Sequence, residues 1–248
     1  MRGLFRGIII RVTIFGLYLN REENVMEKKD PAIVPSFISK NTHIFNNHAL
    51  IASKISVLRD KNTPSSLFRT LVEEITILLS SGALSHLTLE DCEIATPICK
   101  TVGKRVAGKK LVLVPILRAG LAMEPPMKRV VPQARTGFCG LYRDEVTLKP
   151  HEYFWKMPKD IENRAVFILD PMLATGGSID YTVGRLKKIG CKSITVMSII
   201  AAPQGIELIQ YKHPDVEMYI ACLDEGLNEN GYIVPGLGDA GDRIFGTK

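Results

Sequence analysis

The residues best suited to chemistry in this 248-residue chain lie at 170–178, DPMLATGGS. Asp170 ends an apolar run, AVFILD, that reads as a buried β-strand. Behind the segment, Ile179, Val183, Leu186 and Ile189 mark one face of a helix closed by Gly190. A loop between such a strand and such a helix gathers backbone N–H groups at the positive helix end, which is how a chain binds an anion. Gly176 and Gly177 let a phosphate approach the main chain, and Thr175 and Ser178 add hydroxyl donors. The plainer reading is a strand-to-helix turn capped by Ser178. Taken alone, the segment specifies phosphate binding and nothing finer.

Two other glycine patterns match phosphate motifs and fail on context. GKRVAGKK at 103–110 has Lys110 where a nucleotide-binding loop needs Ser or Thr for magnesium, and it precedes a strand instead of following one. Gly236, Gly238 and Gly241 fit a dinucleotide fingerprint, yet only seven residues follow Gly241, too few for the helix and strand that fingerprint requires. His43, His48, His86, His151 and His213 fall in no motif and read as structural or exposed.

The elements that must position 170–178 follow from hydrophobic spacing. Leu50, Ile51, Ile55 and Leu58 predict a helix over 47–59; Thr63 and Pro64 supply a cap and a first-turn proline for a second, with an apolar stripe from Leu67 to Leu79. That second helix packs on the core or on a partner subunit. From Lys109 onward, strands at 111–116, 165–170, 193–202 and 217–224 alternate with helical segments, and the strands are almost wholly apolar. Such a pattern predicts an α/β fold with a mainly parallel sheet covered on both faces. Ligands then belong beyond the carboxyl ends of the strands, after Ile116, Asp170, Ala202 and Asp224.

Five segments read in order carry a resemblance: VPILRAG (114–120), LYRDE (141–145), LDPMLATGGS (169–178), AAPQGI (201–206) and GLNENGYIVPGLGDAGDRIFGTK (226–248). Together they resemble the uracil phosphoribosyltransferase family, within the type I phosphoribosyltransferases, over about residues 45–248. The resemblance implies an extended β arm, a carboxyl-terminal base-binding loop, and transfer of phosphoribose from 5-phosphoribosyl 1-diphosphate (PRPP) to uracil. It implies PRPP contacts at Arg118, Arg143, Asp170, Pro171, Met172, Leu173, Ala174, Thr175, Gly176, Gly177, Ser178 and Asp239. It places uracil against Ile233, Gly238, Asp239 and Ala240, through main-chain groups that read N3–H and O4. Arg118, Asp170 and Asp239 are the expected catalytic residues, with Asp239 the candidate for taking the N1 proton. Magnesium is expected through diphosphate and water, with no metal site built of protein side chains. Family likeness also implies a homo-oligomer and a GTP effector. The chain departs from the family pattern at Ser81 and Gly82, which stand where Tyr-Glu-Ala is common, at Val146, and across 122–126 (AMEPP).

Bulk properties exclude several other classes. The net charge of +6 is concentrated at the amino end: Arg2, Arg6, Arg11 and Arg21 precede Glu22, and the remaining residues carry 28 basic side chains against 26 acidic. A nucleic-acid surface is not indicated. Five cysteines without C-x-x-C spacing read as reduced thiols of a cytoplasmic protein. The apolar run at 8–19 is interrupted by Arg11 and is shorter than the roughly 20 residues a membrane helix needs. The expectation is a leader over 1–40, disordered or non-native with Met26 as the true start, and one domain over 41–248; a targeting segment or an ordered arm are the alternatives for the leader.

Overall fold

The computed structural model describes residues 38–143 and 150–247, except for the side chain of Arg143. Nearly all of the expected leader, and Val146, lie outside these residues. The chain runs through β1 (Thr42–Ile44), α1 (Ala49–Arg59), α2 (Ser65–Ala83), β2 (Leu89–Ala95), β3 (Lys100–Val106) and β4 (Val112–Leu117). A turn of 3-10 helix at Ala119–Ala122 leads to α3 (Glu124–Val130), β5 (Arg135–Thr136), β6 (Phe138–Arg143) and β7 (Pro150–Lys156). After a second such turn at Ile161–Asn163 come β8 (Ala165–Leu169), β9 (Met172–Leu173), α4 (Gly177–Ile189), β10 (Ser193–Ala201), α5 (Pro203–Lys212), β11 (Glu217–Leu223), β12 (Gly226–Leu227), β13 (Ile233–Val234) and α6 (Ala240–Phe245).

The main sheet has the order β1-β11-β10-β8-β4-β6-β7, with β5 beside β4 and β9 beside β10. Every pairing in it is parallel except β6 with β7, which form an antiparallel arm. The two-residue periodicity of a strand divides its side chains between two cores. Leu113, Phe167, Met197 and Tyr219 face α1, α2, α3 and α6. Val114, Ile168, Val196 and Ile220 face α4 and α5. Strands buried on both sides must be apolar throughout, which is why they stood out in the sequence.

Some details differ from the sequence reading. Pro64 is the residue before α2, not its first residue: its ψ of 152° is extended, and Thr63 spends its hydroxyl on the carbonyl of Val57 at 2.6 Å. The imidazole of His48 caps α1 by accepting from the Ile51 N–H at 3.3 Å. Gly82 has a physical reason, since a Cβ there would stand 2.7 Å from the Phe45 ring. Pro125 and Pro126 occupy the first turn of α3, where a missing N–H costs nothing. Residues 103–106 of the rejected nucleotide motif belong to β3. Among the described residues the ribbon β2–β3 pairs with no other strand, and it exposes Leu89, Ile94 and Val102, with Ile98 at its turn. Among the described residues no helix is long and apolar enough to cross a membrane.

Candidate active site

At the carboxyl end of β8 the ladder to β10 changes hands. Asp170 donates its N–H to the Met197 carbonyl at 3.2 Å, and Pro171, which has no N–H, only accepts, from Ile199 and Ile200 at 3.0 Å each. The chain resumes as β9 and then enters α4 through Gly176, whose φ of +83° is left-handed. A Cβ on Gly176 would also crowd Leu208 at 3.0 Å and the Gly205 carbonyl at 3.2 Å. Two independent demands therefore fix glycine here. Gly205, from the AAPQGI segment, is needed for the reciprocal reason: its Cβ would lie 2.4 Å from the Ala174 carbonyl. The first-turn N–H groups of α4 have no intrahelical acceptor and point out of its amino end. Asp180, one turn in, turns its carboxylate to Lys212 and His213 at 2.7 and 2.9 Å, away from that end.

The Asp170 carboxylate accepts from the Met172 N–H at 3.3 Å. It opens partly to a crevice, yet burial pushes its pKa up to about 7, against the opposing pull of that hydrogen bond. A carboxyl poised near neutrality in a cleft is typical of groups that handle ligands. Gly120 lies against this strand end: a Cβ on it would sit 2.3 Å from the Leu169 carbonyl, so only glycine lets the loop after β4 pack there.

Arg118 follows β4, after a cis Leu117–Arg118 peptide bond. Its guanidinium is half exposed and reaches Asp242 at 3.2 Å and the Thr247 hydroxyl at 3.3 Å. Asp239 caps α6 through the Asp242 N–H at 2.8 Å. Arg118, Asp170, Met172, Asp239, Ala240 and Gly241 thus meet around one crevice of about 400 Å³, which Ala119, Leu141, Tyr142 and Tyr153 complete. Residues separated by more than 120 positions converge on it.

The expected residues divide into those that line this crevice and those that frame it. Pro171, Ala174, Thr175, Gly176, Gly177 and Ser178 form the adjoining turn into α4, and the Leu173 side chain is fully buried in the core, leaving only its main chain for a ligand. Ile233 is likewise buried, in β13, and Gly238, with φ +79°, leads into Asp239. Arg143 ends β6 opposite Pro150; its side chain lies outside the described residues.

Tyr142 and Tyr153 were not singled out by sequence. Opposite Gly140 stands Phe154, but opposite Leu141 stands Glu152, so Tyr153 is an extra, unopposed residue. A bulge of this kind re-aims a side chain, here toward the crevice. The base of the arm is tied to α4, since Glu152 accepts from Tyr181 at 3.0 Å and pairs with Arg185 at 3.2 Å, while Arg185 lies 4.6 Å over the Trp155 ring. The helix that opens at the Gly176–Gly177 turn therefore also holds the arm.

A mainly parallel sheet with helices on both faces, a glycine-bearing strand–turn–helix connection, an acid at the strand end and an arginine after the neighbouring strand define the type I phosphoribosyltransferase fold. Comparison with known proteins narrows the class. Residues 45–247 match the family model for uracil phosphoribosyltransferase. The uracil phosphoribosyltransferase of Finegoldia magna is 57% identical over 202 residues, 82% of this chain and 97% of that protein. That of Streptococcus pneumoniae is 55% identical over the same shares. A solved structure, the AQ2163 protein of Aquifex aeolicus, superposes with a TM-score of 0.76 at 38% identity, covering 80% of this chain and 95% of that one. The chain belongs to the uracil phosphoribosyltransferase family.

Proposed function

We propose that the chain transfers the 5-phosphoribosyl group of PRPP to N1 of uracil, forming UMP and diphosphate in pyrimidine salvage. The observation that carries this reading is the single crevice where Arg118, Asp170 and the 239–241 turn meet. The amino end of α4 receives the 5-phosphate on main-chain N–H groups. Asp170 accepts from ribose hydroxyls, and Arg118, with Arg143 of the arm, takes the diphosphate. Uracil lies against main-chain groups of Ile233, Gly238, Asp239 and Ala240, so that a base presenting the wrong donor leaves a buried polar group unpaired.

Among the described residues no group of three or more His, Cys, Asp or Glu side chains could hold a metal ion. Magnesium keeps most of its waters and would be held mainly through the diphosphate, with Asp170, which lines the crevice, the carboxylate placed to support it. When bound, magnesium neutralises charge on the departing diphosphate. The C1–O bond to diphosphate breaks through an oxocarbenium-like state, and Arg118 stabilises the charge that collects on the leaving group. Uracil N1 then bonds to C1, its proton passing to Asp239 directly or through water; one Asp239 oxygen is already the α6 cap, so the other is the acceptor. Tyr142 and Tyr153 form the arm side of the crevice.

The homo-oligomer belongs to the same reading and is supported by the β2–β3 ribbon, whose apolar side chains are uncovered in the single chain. Sedimentation reports the assembly, and adding GTP to the assay tests the effector. The central experiment is magnesium-dependent UMP formation by wild type and Asp170→Asn, with cytosine, hypoxanthine and adenine offered in parallel. Wild type that makes no UMP refutes the proposal.

A further inference from the structure

We infer that Arg59 and Asp224, far apart in sequence and paired beneath the base loop, are positioning residues for uracil: they hold the N–H and the C=O of Gly236 and thereby set Ile233 and residues 238–240. This rests on the proposed function, which makes those residues the base contacts.

Arg59 is the last residue of α1, and Asp224 directly follows β11. The Asp224 side chain is only 1% exposed. Its Oδ2 accepts from Arg59 Nη1 at 2.8 Å and from the Gly236 N–H at 3.0 Å, while its Oδ1 accepts from Arg59 Nη2. The same Arg59 Nη1 donates to the Gly236 carbonyl at 2.7 Å. One residue of the loop thus has its N–H held by the acid and its C=O by the base. Asp224 itself is anchored by its N–H to the Ala201 carbonyl of the central sheet at 2.9 Å.

Gly236 is suited to transmit this grip. Its φ is +65°, and a Cβ on it would lie 2.1 Å from the Ile233 carbonyl, so the loop folds back on itself at this point. It stands three residues after Ile233 and two before Gly238. A second tie acts on the following residue: Arg243 Nη1 donates to the carbonyls of Leu237 at 2.9 Å and Leu58 at 2.8 Å, and its guanidinium stacks 4.4 Å over Phe68. The end of α1 is therefore the bed on which the loop is laid.

Stability alone is a poor reason for such a pair. Replacing a buried ion pair with apolar residues is often neutral or favourable, because desolvation offsets most of the attraction. Burial works against the Arg59 charge here, and the bonds and charge of Asp224 outweigh it and hold the guanidinium above its ordinary pKa. What the apolar alternative lacks is direction. A planar guanidinium opposite a carboxylate fixes two bonds at once, and lysine has no such fork.

The test uses Arg59→Lys, which keeps the charge and loses the fork, Asp224→Asn, and the double variant, each checked for folding by circular dichroism and thermal unfolding. In folded variants the uracil KM rises about 10- to 100-fold, the effect of displacing a recognition group by roughly an ångström. The PRPP KM stays near wild type, kcat falls less than the uracil KM rises, and the double variant is no worse than the worse single one, as residues acting as one unit require. A folded Arg59→Lys with an unmoved uracil KM, or with both KM values rising together, overturns the inference. So do variants that all fail to fold, which would mark the pair as a stability element. These outcomes are read against wild type that makes UMP; if wild type makes none, the function proposal fails and takes this inference with it.

Discussion

Replacing Asp170 by asparagine should abolish UMP formation and, above neutral pH, make the protein more stable. The folded protein keeps a proton on Asp170 up to about pH 7, from an ordinary value of 3.8. The unfolded chain loses that proton near pH 4. Between those values the folded state binds the extra proton, so this group's contribution to stability falls as pH rises, by about 1.4 kcal/mol per unit, and is constant above pH 7. Three units of such slope give an upper figure of about 4 kcal/mol, and water reaching the partly open carboxylate trims it to about 2–4 kcal/mol. The amide of the Asp170→Asn variant carries no such cost and can still accept from Met172. Equilibrium urea unfolding at fixed protein concentration, from pH 5 to pH 8.5, should show a wild-type deficit that widens up to pH 7 and then levels. In a domain of this size the melting temperature of Asp170→Asn at pH 8 rises by roughly 5–10 °C. A gap between the two proteins that stays flat across that range refutes the claim that the free site holds a protonated Asp170.

The same poise predicts that magnesium and PRPP, whose cation and ribose hydroxyls favour the ionised acid, release up to one proton per site near pH 6; calorimetry in buffers of different ionisation enthalpy reads it, and proton uptake contradicts it. Arg118→Ala should lower kcat/KM for PRPP by about 10²–10³, the usual loss for one preorganised donor to developing charge. Because that side chain is half exposed, unfolding free energy should change by no more than about 0.5 kcal/mol. Gly120→Ala brings a methyl to 2.3 Å from the Leu169 carbonyl. It should cost about 1–3 kcal/mol by overpacking and depress kcat as well, measured by thermal unfolding beside the UMP assay.

The four inner strands of the sheet, β4, β8, β10 and β11, were legible in the sequence to within a residue or so, because a strand covered on both faces has no room for polar side chains. Leu111 was expected to open a strand that begins at Val112, and Ala202 to close one that ends at Ala201. The β2–β3 ribbon was not legible. Its residues are exposed on both faces, so alternation carries no signal, and antiparallel pairing of Leu89 with Val106 leaves no local mark. Asp170 and the glycines stood out because a strand end and close backbone approach restrict residue type at a single position, whereas Arg118 was marked by the family resemblance. Tyr153 was invisible for the opposite reason: a bulge decides its direction, and any register is compatible with its sequence. Arg59 and Asp224 each read as an ordinary helix end and strand end until the fold brought them together.

The close contact of Gly120 with the Leu169 carbonyl couples the loop carrying Arg118 to the strand end carrying Asp170. The groups assigned to the two ends of one bond-breaking event are thereby set on a common chassis of central strands. The base loop has its own fastening, to Arg59 of α1 and to Asp224 at the end of β11, and meets the chassis where Asp224 bonds Ala201 and where Arg118 bonds Asp242. On the proposed roles, the two halves of the site are fastened separately and share Asp239. Substitutions between Asp224 and Gly238 can vary the base loop while Arg118, Asp170 and Asp239 are inherited unchanged.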